Sequence, residues 1–451
     1  MLENRRRIAS FIRHGYHTRL ALILESVFIG LAAGFVVVLF RYLLSQADIL
    51  RFWLYKTLFR SSPYWTGGWI LLLLCIGLFL GWASKVRPMI RGSGIPQIKG
   101  ALGGQLSLGW TELPLKLITG VLGLGAGLSL GREGPSIQIG AYVGTGVLSV
   151  FHRSPEKRKS LVVAASAAGL SAAFNAPLAG VLFVLEELET SFSPLFLICA
   201  MGASMAADMA AGFFFGFAPI FDFRHVTALP PADLPWVVLL GVICAFLGDI
   251  FKRSLYASLN AYDRFRIPLV VRPAIPLLVS VPLGFFLFDL LGGGHGLIES
   301  LSREQWALGT VGLLLAGKIL FTALCYGSGA SGGIFLPLLA CGALAGEAFG
   351  NILTLGGFIP EEQTLNFIIL GMTAFFTGTV KAPVTGIILI LEMSGNFNHL
   401  GSLVLASLSS FVTSELMGSP PVYAVLLGRI LKSNNPSAGG PVRAGPGRQL
   451  G

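Results

Sequence analysis

Charged residues are scarce in this chain. They make up 12% of its 451 residues, against roughly 25% in an ordinary soluble protein. Hydrophobic residues reach 54% and the mean hydropathy is +0.75, which excludes both a typical water-soluble enzyme and an intrinsically disordered chain. The 58 glycines follow no three-residue period, which excludes a collagen-like chain. The composition therefore predicts a polytopic membrane protein.

Cysteine is scarce as well, and its pattern excludes two further classes. The 5 cysteines are odd in number, lie in apolar runs and form no CxxC pair, so neither a disulfide framework nor a metal site is indicated. No phosphate loop, zinc motif or nucleophile elbow occurs. A GxGxxG match at 327–332 follows a membrane-length apolar run instead of a short strand, so we reject a dinucleotide site. We predict no enzymatic activity, no cofactor and no metal.

Uncharged runs are much longer than the ~9–11 residues of a transmembrane barrel strand. Residues 134–151, 160–185 and 393–414 contain no Asp, Glu, Lys or Arg. This predicts an all-α membrane protein. Candidate spans lie near 20–44, 66–84, 111–130, 134–150, 160–187, 193–217, 235–251, 273–293, 308–326, 334–350, 365–395 and 400–417.

The basic residues are concentrated in short segments. The net charge is +10, and the excess lies at 1–20, 151–159, 252–272 and in the tail from 429 onward. Short basic loops between apolar spans fit the positive-inside rule better than nucleic-acid binding, so we place these segments and both termini in the cytoplasm. The basic loop at 45–65 falls outside in this scheme and leaves the charge signal ambiguous there.

The number of membrane crossings between two basic clusters requires that one apolar segment does not cross the membrane fully. Three apolar segments separate the basic clusters at 151–159 and 252–272, and three full crossings would place those clusters on opposite sides. Residues 160–187 are the best candidate for a segment that returns to its own side. Pro177 follows Asn175 and Ala176 there, and proline breaks a helix at this position. We predict a broken, re-entrant helix pair.

The same break occurs twice. APLAGVLFVLE at 176–186 aligns without a gap with APVTGIILILE at 382–392. This predicts membrane repeats at 20–217 and 235–432, a linker at 218–234, a basic segment at 1–19 and a flexible tail at 433–451. If the linker is outside and both ends are inside, the repeats have opposite orientations, as in many secondary transporters.

Glycine-rich segments precede several apolar helices: GSGIP at 92–96, GREGP at 131–135 and GSGASGGIFLP at 327–337. A helix N-terminus presents unpaired N–H groups, and glycine allows a ligand to approach them. Several such ends together would bind an anion without a full positive charge. For any one segment, close helix packing is the alternative.

These segments, together with AAFNAPLAGVLFVLEE at 172–187 and PPVY at 420–423, resemble the CLC family of chloride channels and chloride/proton exchangers. The resemblance covers residues from about 20 to 432. It implies two inverted-topology repeats of tilted, partly broken and re-entrant helices, and a homodimer with one pathway in each subunit. Its partners would be chloride, protons and the lipid bilayer of a bacterial plasma membrane. We expect exchange, with a passive chloride channel as the alternative, and no cytoplasmic nucleotide-binding modules.

The resemblance also implies site residues. The hydroxyls of Ser93 and Tyr423 match chloride ligands, as do the backbone N–H groups of Ile334 and Phe335. Glu133 matches the external gating glutamate, whose carboxylate can occupy an anion site. Helix capping and packing are the alternative roles for the two hydroxyls.

Glu187 matches the internal proton-transfer glutamate of exchangers. Its neighbour Glu186 aligns with Glu392 in the second repeat, which favours a shared structural role, whereas Met393 stands opposite Glu187. Arg132 is expected to be a structural partner of the gate. Lys116 and Asp208 are further ionisable residues in or near spans, and Lys116 is the stronger candidate for shaping the local potential.

The chain also departs from the family pattern. Gln97 and Lys99 stand where many relatives have acidic residues, and Ser331 stands where proline is frequent, so proton access is expected to differ. Ser93 itself argues for chloride rather than the fluoride-exporting branch. The small residues at 200–212 support a close helix contact in a dimer.

Overall fold

The computed structural model describes residues 2–58, 63–150, 155–188 and 194–434. These residues form 17 α-helices and no strands, which confirms the predicted fold class. Arg153 and residues 435–451 of the predicted tail lie outside the described residues. The first half contains α1 Leu2–Trp53, α2 Pro63–Val86, α3 Ile95–Leu102, α4 Leu113–Gly125, α5 Glu133–Val150, α6 Pro155–Phe174, α7 Pro177–Phe183 and α8 Pro194–Phe215. The second half contains α9 Leu234–Arg264, α10 Ala274–Phe286, α11 His295–Arg303, α12 Leu308–Gly327, α13 Phe335–Leu355, α14 Thr364–Val380, α15 Pro383–Ser394, α16 Leu400–Leu416 and α17 Val422–Asn434.

The helix lengths correct several predicted spans. The basic segment at 1–19 lies on the same helix as the first span, because α1 runs without a break from Leu2 and contains no proline that would interrupt it. The predicted spans near 111–130 and 273–293 are helices of 13 residues, shorter than the ~20 residues that cross a bilayer. Among the described residues, 7 helices are long and apolar enough to do so.

The two halves pack in the same way. In the first, α1 packs against α6 and α8, and α5 packs against α6. In the second, α9 packs against α14 and α16, and α13 packs against α14. The second half therefore repeats the helix order and the packing of the first, and α17 follows it as an additional helix.

Both predicted helix breaks are present. The first lies between α6, which ends at Phe174, and α7, which begins at Pro177 and ends in a π-helical turn, Val184–Leu188. The second lies between α14 and α15. Asn175 has φ 51° and Lys381 has φ 66°, so a residue in the left-handed region stands two positions before each proline. Both repeats reverse the chain by the same local conformation.

Two glutamates link the repeats reciprocally. The Glu186 carboxylate, at the end of α7, accepts a hydrogen bond from the backbone N–H of Thr385 at 2.7 Å, in the first turn of α15. The Glu392 carboxylate, near the end of α15, accepts one from the N–H of Ala179 at 2.8 Å, in the first turn of α7. Each helix begins where the other ends, so α7 and α15 are antiparallel and the repeats are inverted.

The small residues of α8 pack inside the chain, which corrects the argument that they line a dimer contact. A methyl group at Gly30 would overlap the backbone of Ala203, and one at Gly34 would lie 2.8 Å from the Cα of Ala207. Close approach of α1 to α8 therefore requires glycine on one helix and alanine on the other. The small residues at 200–212 therefore explain packing within one chain and are no argument for a dimer.

Candidate functional site

The three glycine-rich segments meet in space. The Gly92 N–H donates to the carbonyl of Ala330 at 3.1 Å, and the Gly332 N–H donates to the carbonyl of Gly92 at 3.1 Å. Gly131 and Gly333 exchange two backbone hydrogen bonds, of 2.7 and 2.8 Å. These bonds hold the N-termini of α3, α5 and α13 together, although the segments lie far apart in the sequence.

Glycine allows the close approach at two of these helix starts. Gly94, with φ 86°, precedes α3, and a side chain there would overlap Gln138 on α5. Gly134 faces Ser93 so closely that an added Cβ would lie 2.7 Å from the Ser93 carbonyl oxygen. The beginning of α5 therefore rests directly on the Ser93 turn.

The two predicted hydroxyl ligands are both fully buried. Ser93 Oγ accepts a hydrogen bond from the Ile95 N–H at 3.3 Å. The hydroxyl of Tyr423 has no hydrogen-bond partner among the described residues, although its side chain is 0% exposed. Most buried polar groups are satisfied, so this hydroxyl is free to bind a ligand. Tyr326, which we did not predict, lies beside Ser93 and interacts with it.

Glu133 is buried at the first position of α5 and has no ordinary hydrogen-bond partner. It is 0% exposed, and neither carboxylate oxygen makes a well-formed hydrogen bond to a described residue. The nearest cation is Arg132, with its Nε 3.9 Å from Glu133 Oε1. The backbone N–H of Leu336, in the first turn of α13, lies near the carboxylate. The helix N-termini therefore create a positive potential at this position, which favours a carboxylate or another anion there.

The predicted backbone donors begin α13. Ile334 is its N-cap and Phe335 its first residue, and both are 0% exposed. The first N–H groups of a helix have no intrahelical acceptor. The Phe335 ring packs against Phe174, Phe183 and Phe376, with centroid distances of 5.4, 5.9 and 4.8 Å. These aromatic contacts fix the helix end beside the two chain breaks.

Glu187 lies apart from these residues, in the π-helical turn after α7. Its side chain is 6% exposed, and the Nζ of Lys99 on α3 lies 2.7 Å from its Oε1. The sequence singled out both residues but gave no sign that they form a pair. Of the other departures from the family pattern, the Gln97 amide donates to the Arg91 carbonyl at 2.6 Å, and the Ser331 hydroxyl has no partner among the described residues.

Lys116 supports the turn that precedes α3. Its Nζ donates to the carbonyls of Ile90 and Gly92, each at 2.9 Å. Lys318 in the second repeat donates in the same way to the carbonyls of residues 290 and 292, at 3.1 and 2.8 Å. Sequence analysis missed this counterpart, although the glycines at 292–294 before α11 were a usable signal. The buried lysines thus have a positioning role in both repeats.

A basic cavity lies next to the gate. It has a volume of about 570 Å³, and it is lined by the arginines at 41, 51 and 132, which outnumber its two acidic residues, Asp48 and Asp289. Leu336, whose N–H lies near the Glu133 carboxylate, also lines it. A cavity with this charge would attract anions toward the start of α13. Asp208, the weaker of the two further ionisable candidates, lies near Arg41 and not at the gate.

Comparison with known proteins finds a family model and relatives that agree with one another. Residues 76–415 match the family model described as voltage gated chloride channel. The H(+)/Cl(-) exchange transporter ClcA of Vibrio cholerae serotype O1 is 35% identical over 92% of this chain and 91% of its own length. The protein of the same name from Citrobacter koseri is 34% identical over 92% of this chain and 89% of its own.

Solved structures agree with this result. A slow cyanobacterial Cl-/H+ antiporter superposes with a TM-score of 0.87 at 31% identity, over 92% of this chain and 99% of that one. A eukaryotic CLC transporter, at 19% identity, shares the fold with a TM-score of 0.75 over 92% of this chain and 74% of that one. The chain therefore belongs to the voltage gated chloride channel (CLC) family.

Proposed function

We propose that this chain exchanges chloride for protons across a membrane, with Glu133 as the gate and Glu187 as the internal proton-transfer residue. The observation that carries the proposal is the meeting of three helix N-termini around Ser93 and the buried carboxylate of Glu133, which makes no well-formed hydrogen bond to a described residue. The relatives named as H(+)/Cl(-) exchange transporters, similar over most of the chain, support the same activity.

The anion binds without a full positive charge in contact with it. The N–H groups at Ile334 and Phe335 and the hydroxyls of Ser93 and Tyr423 would coordinate chloride. Such partial charges bind an anion strongly enough to replace its water and weakly enough to release it. Lys116 donates hydrogen bonds to two backbone carbonyls of the turn, so it holds the ligands in place instead of trapping the ion.

Glu133 couples the two ions because its carboxylate has two states. As a carboxylate it is favoured at the helix N-termini, where it competes with chloride and closes the path. As a neutral acid it loses that attraction and can leave the anion position, so chloride passes. A proton must therefore be bound at Glu133 for each opening, and the same side chain carries the proton across the external part of the path.

Glu187 would exchange protons with the cytoplasmic side. Tyr423 lies within electrostatic range of both Glu187 and Glu133, so both glutamates lie near the proposed chloride site. Protons and chloride would share the path near Glu133 and follow different routes toward the cytoplasm. Glu187 itself is not among the proposed chloride ligands, which is why its loss should affect the proton alone.

Proteoliposomes test the exchange directly. A chloride gradient across vesicles containing the wild-type protein should drive protons uphill, as measured with a pH electrode and a chloride electrode together. Glu187→Gln should abolish proton movement while chloride transport persists. Glu133→Gln should also lose coupling and should lose the pH dependence of chloride flux. A wild-type protein that moves chloride but never moves protons uphill would instead be a passive chloride channel.

Chloride is the proposed anion because of Ser93. Its hydroxyl lies in the turn that the three helix starts enclose, which is where a chloride ligand is expected. A CLC-type fluoride/proton antiporter shares the fold at a TM-score of 0.72, but it is 23% identical, so it says nothing about the anion carried here. Fluoride flux equal to chloride flux in the same vesicles would contradict the assignment.

We also propose a homodimer in a bacterial plasma membrane, with both termini in the cytoplasm. An exposed apolar face on α8 supports a contact outside the subunit, and its residues recur every three or four positions: Ile198, Met201, Met205 and Met209. The relatives named above are bacterial. Mass photometry in detergent should give the mass of the dimer. If mass photometry and cross-linking in bilayers both give only monomers, the homodimer is refuted.

A further inference from the structure

The cation bound to the proton-transfer glutamate is a distinctive feature of this chain. Lys99 lies in the last turn of α3, and its Nζ is 2.7 Å from Glu187 Oε1. The Lys99 side chain is 29% exposed, whereas that of Glu187 is 6% exposed. The ammonium therefore contacts the buried carboxylate from the more accessible side, where protons from the cytoplasm would arrive.

The other groups around Glu187 do not provide a second cation. Glu186 is adjacent on the same turn, but its carboxylate binds the first turn of α15. Tyr423 approaches from α17 with a neutral hydroxyl. The basic residues that α6 carries, at 157–159, lie at its beginning, whereas Glu187 lies in the turn after α7. Among the described side chains, Lys99 is the cation in contact with it.

We propose that Lys99 is a positioning residue of the proton path: it holds Glu187 as a carboxylate and must withdraw each time Glu187 accepts a proton from the cytoplasmic side. The proposal rests on the proposed function. In this step a hydronium ion or buffer acid gives its proton to Glu187 and becomes water or the conjugate base. Lys99 keeps its own proton and turns toward solvent. When the proton moves on toward Glu133, the ion pair forms again.

The pair should therefore limit the rate of exchange without setting its stoichiometry. A proton on Glu187 removes the attraction for Lys99, so the ammonium competes with protonation, and it competes more successfully as the cytoplasmic proton concentration falls. Chloride binding involves other residues and is not directly affected. Proton delivery would then be the slow step at neutral and alkaline internal pH.

The lysine is not needed to hold α3 in place. That helix is fixed by the Gln97 amide, which donates to the Arg91 carbonyl, and by the fully buried side chain of Ile98. Lys116 holds the preceding turn. A neutral side chain of similar length at position 99 is therefore expected to leave the fold and the chloride site intact.

The test compares Lys99→Met with Lys99→Arg, which keeps the charge, in proteoliposomes at several internal pH values. Lys99→Met should raise the initial rate of chloride-driven proton transport by about threefold or more, and it should extend transport to higher pH with an unchanged proton-to-chloride ratio. Lys99→Arg should behave like the wild type. Equal rates and pH profiles in all three proteins would overturn the proposal, as would loss of proton movement in Lys99→Met.

A spectroscopic readout separates this proposal from the proposed function. Infrared difference spectra of the purified full-length protein should show a protonated carboxyl band that Glu187→Gln removes. In Lys99→Met this band should appear at higher pH than in the wild type, and Lys99→Gln serves as a second neutral variant if Lys99→Met folds poorly. A band at unchanged pH overturns the role of Lys99 whatever the transport assay gives. A shifted band in a protein that never moves protons uphill would keep the ion-pair competition but refute the exchange.

Discussion

Replacing Glu186 with glutamine tests which of two adjacent glutamates is structural. The Glu186 carboxylate accepts hydrogen bonds from the N–H groups of Val384 and Thr385, at 3.1 and 2.7 Å, and from the Thr385 hydroxyl at 2.5 Å. A glutamine keeps one acceptor oxygen and presents an NH₂ group in place of the other. That group cannot accept from a backbone N–H, so one donor in the first turn of α15 loses its partner.

The expected cost follows from these contacts. Leaving a buried N–H unsatisfied costs about 1–3 kcal/mol, and removing a negative charge from a helix N-terminus costs about 0.3–1 kcal/mol more. Thr385 is fully buried, but Glu186 is exposed, so water replaces part of the lost interaction. We therefore expect Glu186→Gln to lower the free energy of unfolding by about 1–2 kcal/mol. Glu392→Gln, which loses contacts at the equivalent end of α7, should cost about as much.

The assay combines stability with coupling. Thermal unfolding of the purified protein in detergent should show a midpoint lower by about 1–4 °C for Glu186→Gln, while the proton-to-chloride ratio in proteoliposomes stays at the wild-type value. Glu187→Gln is the matched control. It should keep the wild-type midpoint and lose proton coupling. If Glu186→Gln uncouples protons while Glu187→Gln does not, the proton path uses the other glutamate and our assignment is wrong.

Further predictions concern the anion site and the packing around it. Ser93→Ala and Tyr423→Ala should each weaken chloride binding by calorimetry and loosen coupling while chloride still moves, because the backbone donors remain; unchanged affinity in both would return the hydroxyls to a packing role. Glu133→Gln should leave chloride flux independent of pH between about 5 and 8, and a retained pH profile would argue against it as the gate. Gly346→Ala should destabilise the protein, since the added methyl would overlap the backbone of Phe367, whereas Gly67→Ala has open space and should be neutral or slightly stabilising; similar thermal midpoints for both would contradict the packing of α13 on α14.

The sequence by itself determined the two helix breaks, the repetition of the break in the second half, and the glycine-rich helix starts. Asn175 and Lys381 stand at equivalent places before an Ala-Pro pair, and proline removes a backbone donor and disfavours helical conformation in the residue before it. For this reason both breaks could be located from the sequence, and the gap-free match around them revealed the duplication. The glycine-rich segments were recognisable as helix starts because the backbone conformation they allow is a local property.

Other features depended on contacts between distant parts of the chain. Lys99 and Glu187 are 88 residues apart, and no local rule states that a lysine on one helix will reach a carboxylate on another. The lysine at 318 was matched to Lys116 only when both were seen to bind the turn before a short helix, although the glycines at 292–294 were a signal in the sequence. The small residues of α8 were expected to make a close contact in a dimer, whereas the packing shows that their partner is α1 of the same chain.

The candidate anion site shows the same difference between what the sequence predicts and what only the tertiary structure decides. The resemblance to the CLC family made Ser93, Glu133 and Tyr423 candidates, because each lies in a segment that matches a family motif. Only the tertiary structure showed that backbone hydrogen bonds draw three helix starts together, and that the Tyr423 hydroxyl has no partner among the described residues. Backbone conformation is set largely by neighbours in sequence, whereas the direction and partners of a side chain are set by the packing of whole helices.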